Sequence, residues 1–286
     1  MTTMGLCILL LSAFIHATWN YLSKKANGGV PFIWLFTAIA TVFYTPLAIG
    51  IILYQRPHIG LIQIVFIIAS IIAHLGFFLV LQKGYKIGDL SFVYPIARGT
   101  GPLITCILAV VIFNEKPTVF TFIGTFLILI SILFFTGGID KLKQTNSLAP
   151  ILYSLAVGVI IAGYTLLDKG AVSNFLIPPL LLDFCNTVGR LIILTPFAIK
   201  NWGEGTFEWK HHRREAAGVG VFNSLAYILA LSVMVFAPVS HVAPIREISI
   251  LIGTIMGSVL LSEGFGKLRV IAATFMVLGV ISVAIG

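Results

Sequence analysis

Ser91-Phe92-Val93-Tyr94-Pro95-Ile96-Ala97-Arg98 and Ser240-His241-Val242-Ala243-Pro244-Ile245-Arg246 are two versions of one pattern, and that pattern decides the fold. Serine, valine and proline recur at an offset of 240 − 91 = 149; one residue is then lost, and arginine follows at 246 − 98 = 148. The match extends in both directions. Glu115 meets Glu263 at 148, and Thr125-Phe126 meets Thr274-Phe275 at 149. Upstream, His74 meets Asn223 at 149, and Thr45-Pro46-Leu47-Ala48-Ile49 meets Thr195-Pro196-Phe197-Ala198-Ile199 at 150. Ala17-Thr18-Trp19 with Lys24 meets Ala162-Gly163-Tyr164 with Lys169 at 145. Five pairs fall in order with little drift, so the second half repeats the first.

The repeat lies in a strongly apolar chain. Of 286 residues 58% are hydrophobic and 10% charged, with mean hydropathy +1.06. Soluble domains carry about 45–50% apolar and about 25% charged residues, so a soluble enzyme, a nucleic-acid module and a disordered chain are excluded. A membrane-crossing helix needs about 20 apolar residues. The apolar runs predict spans at Met4–Leu22, Pro31–Tyr54, Leu61–Gln82, Leu90–Phe113, Thr118–Thr136, Pro150–Leu167, Pro178–Ile199, Ala216–Phe236, Ser240–Leu261 and Lys267–Ile285. The expected fold is an all-α integral membrane protein of ten helices, with one repeat over 1–138, a connecting loop over 139–149 and a second repeat over 150–286. Five spans per half is an odd number, so the halves enter the membrane from opposite sides as an inverted repeat, the frame on which alternating access is built. The N-terminus lacks the basic region and cleavage site of a secretory signal, so Met4–Leu22 is expected to stay as the first span. Cys7, Cys106 and Cys185 lie in apolar runs without metal or disulfide spacing and are expected to be buried thiols.

His16-Ala17-Thr18-Trp19-Asn20 with Lys24, the short loop Asn114-Glu115-Lys116 and the five-plus-five repeat resemble the EamA-type branch of the drug/metabolite transporter superfamily. The resemblance covers nearly the whole chain. It implies a central cavity lined by spans one, three, four, six, eight and nine, with five and ten at the periphery. It also implies traffic in amino acids, other small metabolites or phosphorylated compounds.

Lysine and arginine indicate orientation. Loops after the odd-numbered spans hold 12 of them: Lys24, Lys25, Lys83, Lys86, Lys141, Lys143, Lys200, Lys210, Arg213, Arg214, Lys267 and Arg269. The other loops hold 3: Arg56, Lys116 and Lys169. The positive-inside rule places the first set in the cytoplasm and both termini outside, in a cytoplasmic (inner) membrane.

An ionised group at mid-membrane costs roughly 2.5–3.5 kcal/mol on insertion scales, so intramembrane charges mark candidate sites. They are Arg98, Asp183, Arg190, Arg246 and Glu247. Arg98 and Arg246 are repeat mates, each a few residues after a proline that removes a backbone donor. Unwound backbone at membrane depth is tolerated where it lines a cavity, and guanidinium forks suit carboxylate, phosphate or phosphonate. The alternative is structural: each arginine snorkels to an interface or pairs with Glu247 or Asp183. Tyr94, one turn before Arg98, is placed to donate to the same ligand. His74 and Asn223 are candidates for a polar cavity wall, and His74 for proton coupling, against the plainer role of a satisfied structural donor. Trp19 and Tyr164 either close over a solute or form an interfacial belt. Glu115 and Glu263 are expected to cap helices or pair in loops. Asp140, Glu204, Glu208 and Glu215 are expected to be solvated loop charges, and His211-His212-Arg213-Arg214 to meet anionic lipid. Pro46 and Pro196 are candidate gating hinges.

The expectation is a secondary transporter of a small anionic or zwitterionic metabolite, with the bilayer and its solute as partners, no nucleic acid, no cofactor, no metal and no catalytic residues. Competing readings are an exporter of hydrophobic or cationic compounds and, from another class, a membrane enzyme or lipid scramblase. No HExxH, P-loop or GxSxG motif is present in the sequence.

Overall fold

The computed structural model describes residues 1–26, 28–87, 90–135, 148–260 and 267–286. Every regular element in them is a helix. They are α1 (Thr3–Ala26), α2 (Val30–Gln55), α3 (Leu61–Ile87), α4 (Leu90–Phe113), α5 (Val119–Phe135), α6 (Leu148–Ser173), α7 (Pro179–Lys200), α8 (Trp202–Phe236), α9 (Val239–Arg246), α10 (Ile248–Leu260) and α11 (Lys267–Ile285). Asp140, Lys141, Lys143 and Glu263 lie outside the described residues, as do the side chains of Tyr94, Lys86, Lys267 and Arg269.

Among the described residues, seven stretches are long and apolar enough to cross a membrane, the seventh formed by α9 and the start of α10 together (Val239–Met256). Ala97–Phe113, Val119–Phe134 and Val270–Ile285 are shorter apolar helices. Local chemistry explains the ends and the polar side chains within. Proline occupies the first turn of α2 and α7, where its missing N–H costs nothing. Thr37, Thr41, Thr45 and Thr195 return their hydroxyls to carbonyls four residues back at 2.7–2.9 Å, which satisfies them without a partner helix.

Three helices depart from the sequence reading. α6 continues to Ser173, past the expected end at Leu167, and buries Asp168 and Lys169. Lys169 tolerates this because Nζ donates to the carbonyls of Met234 (2.6 Å) and Ala237 (3.0 Å), at the end of α8, which lack helical partners. α8 begins at Trp202, so Glu204, Glu208, Glu215 and the His211–Arg214 run are helical and not loop, with a kink at His212. An i,i+4 contact of His212 with Glu208 (2.8 Å) and the Lys25–Glu215 ion pair (3.1 Å) support that extension.

The predicted ninth span is broken. α9 and α10 meet at Glu247, whose carbonyl accepts a tight turn bond from the Ile250 N–H at 2.9 Å. Pro244 cannot donate to the Ser240 carbonyl, and the buried Cys106 thiol donates there instead at 3.2 Å. The N-terminus of α9 is capped by Glu115, whose carboxylate accepts from the N–H groups of Val239 (2.7 Å) and Ser240 (3.0 Å). Cys7, expected to be buried, is exposed on the rim of the bundle.

Most of the strong helix pairings come in matching sets between the halves, although α2 packs on α8 more extensively than its mate pair, α3 on α7. α1 packs on α8 and α3 on α6; α4 packs on α6 and α1 on α9 and α10; α2 meets α7 and α5 meets α11. At the α5–α11 crossing a Cβ on Gly124 would collide with the Gly279 carbonyl, and one on Gly279 with that of Gly124. These two glycines let the backbones touch. Gly5 lies against Phe236 at one end of the bundle, while Lys25 pairs with Glu215 at the other. Large apolar side chains such as Val42, Leu53, Val111 and Val259 cover the outside, as a lipid-facing surface requires.

Candidate functional site

The turn at Glu247, whose backbone stays in the right-handed helical region, borders a small cavity. Arg246 and Glu247 are sequence neighbours and on one continuous helix would face about 100° apart. Here both line one cavity between α1, α4, α6, α9 and α10, together with Ser12, His16, Arg98, Thr105, Tyr164 and Ser249. Its volume is ≈ 30 Å³, room for about two waters.

The two repeat-mate arginines behave differently. Arg98 Nη2 sits 2.9 Å from Glu247 Oε2, with side chains 20% and 7% exposed. Arg246 makes no ion pair among the described residues; its guanidinium lies over the Tyr227 ring, 5.2 Å from the centroid, a cation–π contact. Both line the same cavity. The formal charge of Arg98, Arg246 and Glu247 is 2 − 1 = +1. His16 faces the same space and accepts from Trp19 Nε1 at 3.3 Å.

The aromatic repeat mates also part company. Tyr164 lines the cavity and stacks on His74 with centroids 4.2 Å apart. Trp19 packs outward against the α2–α8 apolar cluster. His74 stands in a second layer. Its Nε2 lies 3.0 Å from Asp168 Oδ2, and the Tyr227 hydroxyl donates to that same oxygen. Ser70 Oγ donates to Asp168 Oδ1 at 2.5 Å and accepts from Asn186 Nδ2 at 3.0 Å. Asn223 is half-buried on α8, one turn before Tyr227. Asp183 is buried on α7, in electrostatic reach of Arg190 and not of the cavity arginines. Pro46 and Pro196 lie inside α2 and α7, which a Trp34 Nε1 to Thr195 Oγ1 bond of 3.1 Å joins beside Pro196. For Tyr94 only the helix is described.

Sequence reasoning missed Asp168, Tyr227, Ser70 and Asn186. Asp168 lies one residue past the expected span end at Leu167, beside Lys169, which the charge count places in a loop. A usable signal existed: Lys169 is the mate of Lys24, and an acid–base dipeptide ending an apolar run is costly unless it is partnered inside.

A profile of the EamA-like transporter family matches residues 3–137 and again 148–285. The chain belongs to the EamA-like transporter family. It is therefore a membrane transporter, and the two matched stretches are its two EamA repeats. A crystal structure described only as that of a protein superimposes with a TM-score of 0.75 at 14% identity, covering 100% of this chain and 98% of its own. At that identity the likeness speaks for the EamA fold alone. No curated protein matches the sequence significantly.

Proposed function

We propose that this EamA protein is a secondary transporter that carries a small zwitterionic or anionic metabolite, of amino-acid, phosphonate or organic-phosphate type, across the cytoplasmic membrane by alternating access. Its frame is ten spans in two inverted repeats, 1–138 and 150–286, with both termini outside. The matching helix pairings and the odd number of apolar helices per half support that frame.

One observation carries the solute class: Arg98, Arg246 and Glu247 line one cavity. A solute carboxylate or phosphate displaces the Tyr227 ring from Arg246 and takes its forked donors. A solute ammonium, when there is one, competes for Glu247. A water-sized cavity admits no metabolite, so the bundle must open; Pro46 and Pro196 are the proposed hinges in α2 and α7. Tyr164 and His16 complete the proposed wall, with His74 and Asn223 behind it. The competing exporter of cationic compounds needs a net acidic cavity, and Arg98, Arg246 and Glu247 give this one a formal +1.

Thermal shift in detergent, run against amino acids, phosphonates, sugar phosphates and quaternary ammonium compounds, tests the reading. Stabilisation by an anionic or zwitterionic class, lost in Arg246→Gln, is expected. Stabilisation by quaternary ammonium alone overturns it.

A further inference from the structure

We infer that the side-chain oxygens of Asp183, Asn186 and Thr187 on α7, with that of Ser224 on α8, form a binding site for a small monovalent cation, sodium. None of the four lines the cavity of Arg98 and Arg246, so the site stands or falls independently of the solute class.

The observation is a set of buried oxygens without partners. Asn186 Oδ1, Thr187 Oγ1 and Ser224 Oγ make no hydrogen bond among the described residues, although their residues are only 4%, 3% and 1% exposed. Asp183, itself 4% exposed, has the Ser224 hydroxyl beside its carboxylate. Ser224 Oγ is nonetheless unpartnered, so the two approach outside ordinary hydrogen-bond geometry. Arg190 is in electrostatic reach of Asp183, but the two form no ion pair among the described residues. Most buried polar atoms in a folded protein are paired, and a group of orphans points to an ion or a water.

Neighbouring groups fix what these atoms are. Ser70 Oγ donates to Asp168 Oδ1, so it must accept from the Asn186 amide nitrogen. The unpartnered end of Asn186 is therefore its oxygen. Thr37, Thr41, Thr45 and Thr195 return their hydroxyls to carbonyls one turn back, whereas Thr187 and Ser224 do not. On α7 the spacing i, i+3, i+4 sets Asn186 about 60° to one side of Asp183 and Thr187 about 40° to the other, on one face. From α2, Tyr44 stands in electrostatic reach of Asp183 with its hydroxyl committed to the Val221 carbonyl at 2.8 Å.

A carboxylate, an amide oxygen and two hydroxyls are ligands for a hard cation. Charge selects the monovalent one. Asp183 and Asp168 against Arg190 give, His74 aside, a formal −2 + 1 = −1. One sodium neutralises that, and a calcium ion would ask for further carboxylates. A water would bring two donors and no charge, leaving a carboxylate uncompensated at membrane depth. The bound cation ties α7 to α8 directly, and to α3 through Asn186 and Ser70.

The test uses the full chain in detergent, unfolded by heat in sodium chloride or in choline chloride at one pH and one ionic strength. Choline matches the charge and the chloride but is too large for the site. Sodium should raise the wild-type midpoint saturably, by on the order of 5 °C, and equilibrium dialysis should find one radioactive sodium ion held per chain. Asp183→Asn should lose both responses. In choline it should be at least as stable as wild type, because it removes a buried charge that choline cannot reach. Thr187→Val, nearly equal in volume, should keep its midpoint in choline and bind sodium about ten-fold more weakly. Wild type that lacks either sodium response overturns the site. So does a sodium response that survives in Asp183→Asn, or full sodium affinity in Thr187→Val. An Asp183→Asn variant that folds but is less stable than wild type in choline also overturns it, since Arg190 would then already compensate the carboxylate.

Discussion

Arg98 and Arg246 occupy matching positions in the two halves, yet one is neutralised and the other is held on an aromatic face. The residue after each explains the difference. Arg98 is followed by Gly99 on the unbroken helix α4; Arg246 is followed by Glu247 at the break between α9 and α10. Only the second half supplies an acid, and that acid reaches across to the arginine of the first. A duplicated frame thus holds a site that is not symmetric: one half gives a paired cation, the other a cation held in reserve.

The comparison breaks most sharply at Glu247. Glu247→Gln removes one member of the largely buried Arg98–Glu247 pair, and losing one member of such a pair costs about 3–5 kcal/mol. Chemical denaturation in detergent should show that loss. The double variant Arg98→Gln with Glu247→Gln should recover most of it, because neither charge is then stranded. A double variant as unstable as the single one would mean that the pair is not what holds these helices together.

Arg246→Gln sharpens the contrast. It removes a charge that forms no ion pair among the described residues, so stability should change much less than in Glu247→Gln. Binding of an anionic solute group should weaken by about 1.5–3 kcal/mol, the range for charged hydrogen bonds. Calorimetric titration with the solute class found by thermal shift measures it. Equal losses of stability in Arg246→Gln and Glu247→Gln would erase the distinction between the two arginines.

These particulars show what a sequence can tell. The apolar runs and the five matched pairs made the helical segments and the repeat readable, because burial in lipid leaves a long signal at every span. Arg98, Arg246 and Glu247 were readable as costly charges at depth. Which arginine pairs with Glu247 was not, since it depends on a break that lets neighbouring residues share a cavity. Asp168 was hidden for another reason. Its partners come from α3 and α8, remote in sequence, and nothing local announces that an aspartate at the end of an apolar run is enclosed.

The cap on α9 is the next difference to probe. Glu115→Gln keeps an acceptor for one of the two backbone donors of Val239 and Ser240 but removes the charge. A loss of about 1 kcal/mol is expected, the ordinary worth of a cap together with the helix dipole. Unfolding midpoints of the variant and wild type, compared at low and high salt, check it. A loss that vanishes fully with salt would place Glu115 in a screened surface contact and not in the cap.

The smallest expected effect sits beneath the break itself. Pro244 leaves the Ser240 carbonyl without its helical donor, and the Cys106 thiol from α4 fills that place at 3.2 Å. Cys106→Val keeps the volume and removes the donor, so a buried carbonyl goes unpaired, at a cost of about 1 kcal/mol or slightly more. Cys106→Ser keeps a donor, and a stronger one, in a side chain of nearly the same reach. It should hold stability near wild type although it puts a more polar group in an apolar site. If Val matched wild type and Ser fell below it, packing alone would explain Cys106, and the carbonyl freed by Pro244 would find water in the adjoining cavity. The expected order, Ser near wild type and Val below, would mean instead that α4 supports the break in α9 and α10 directly. The helix that carries Arg98 would then also hold open the turn that brings Glu247 to meet it.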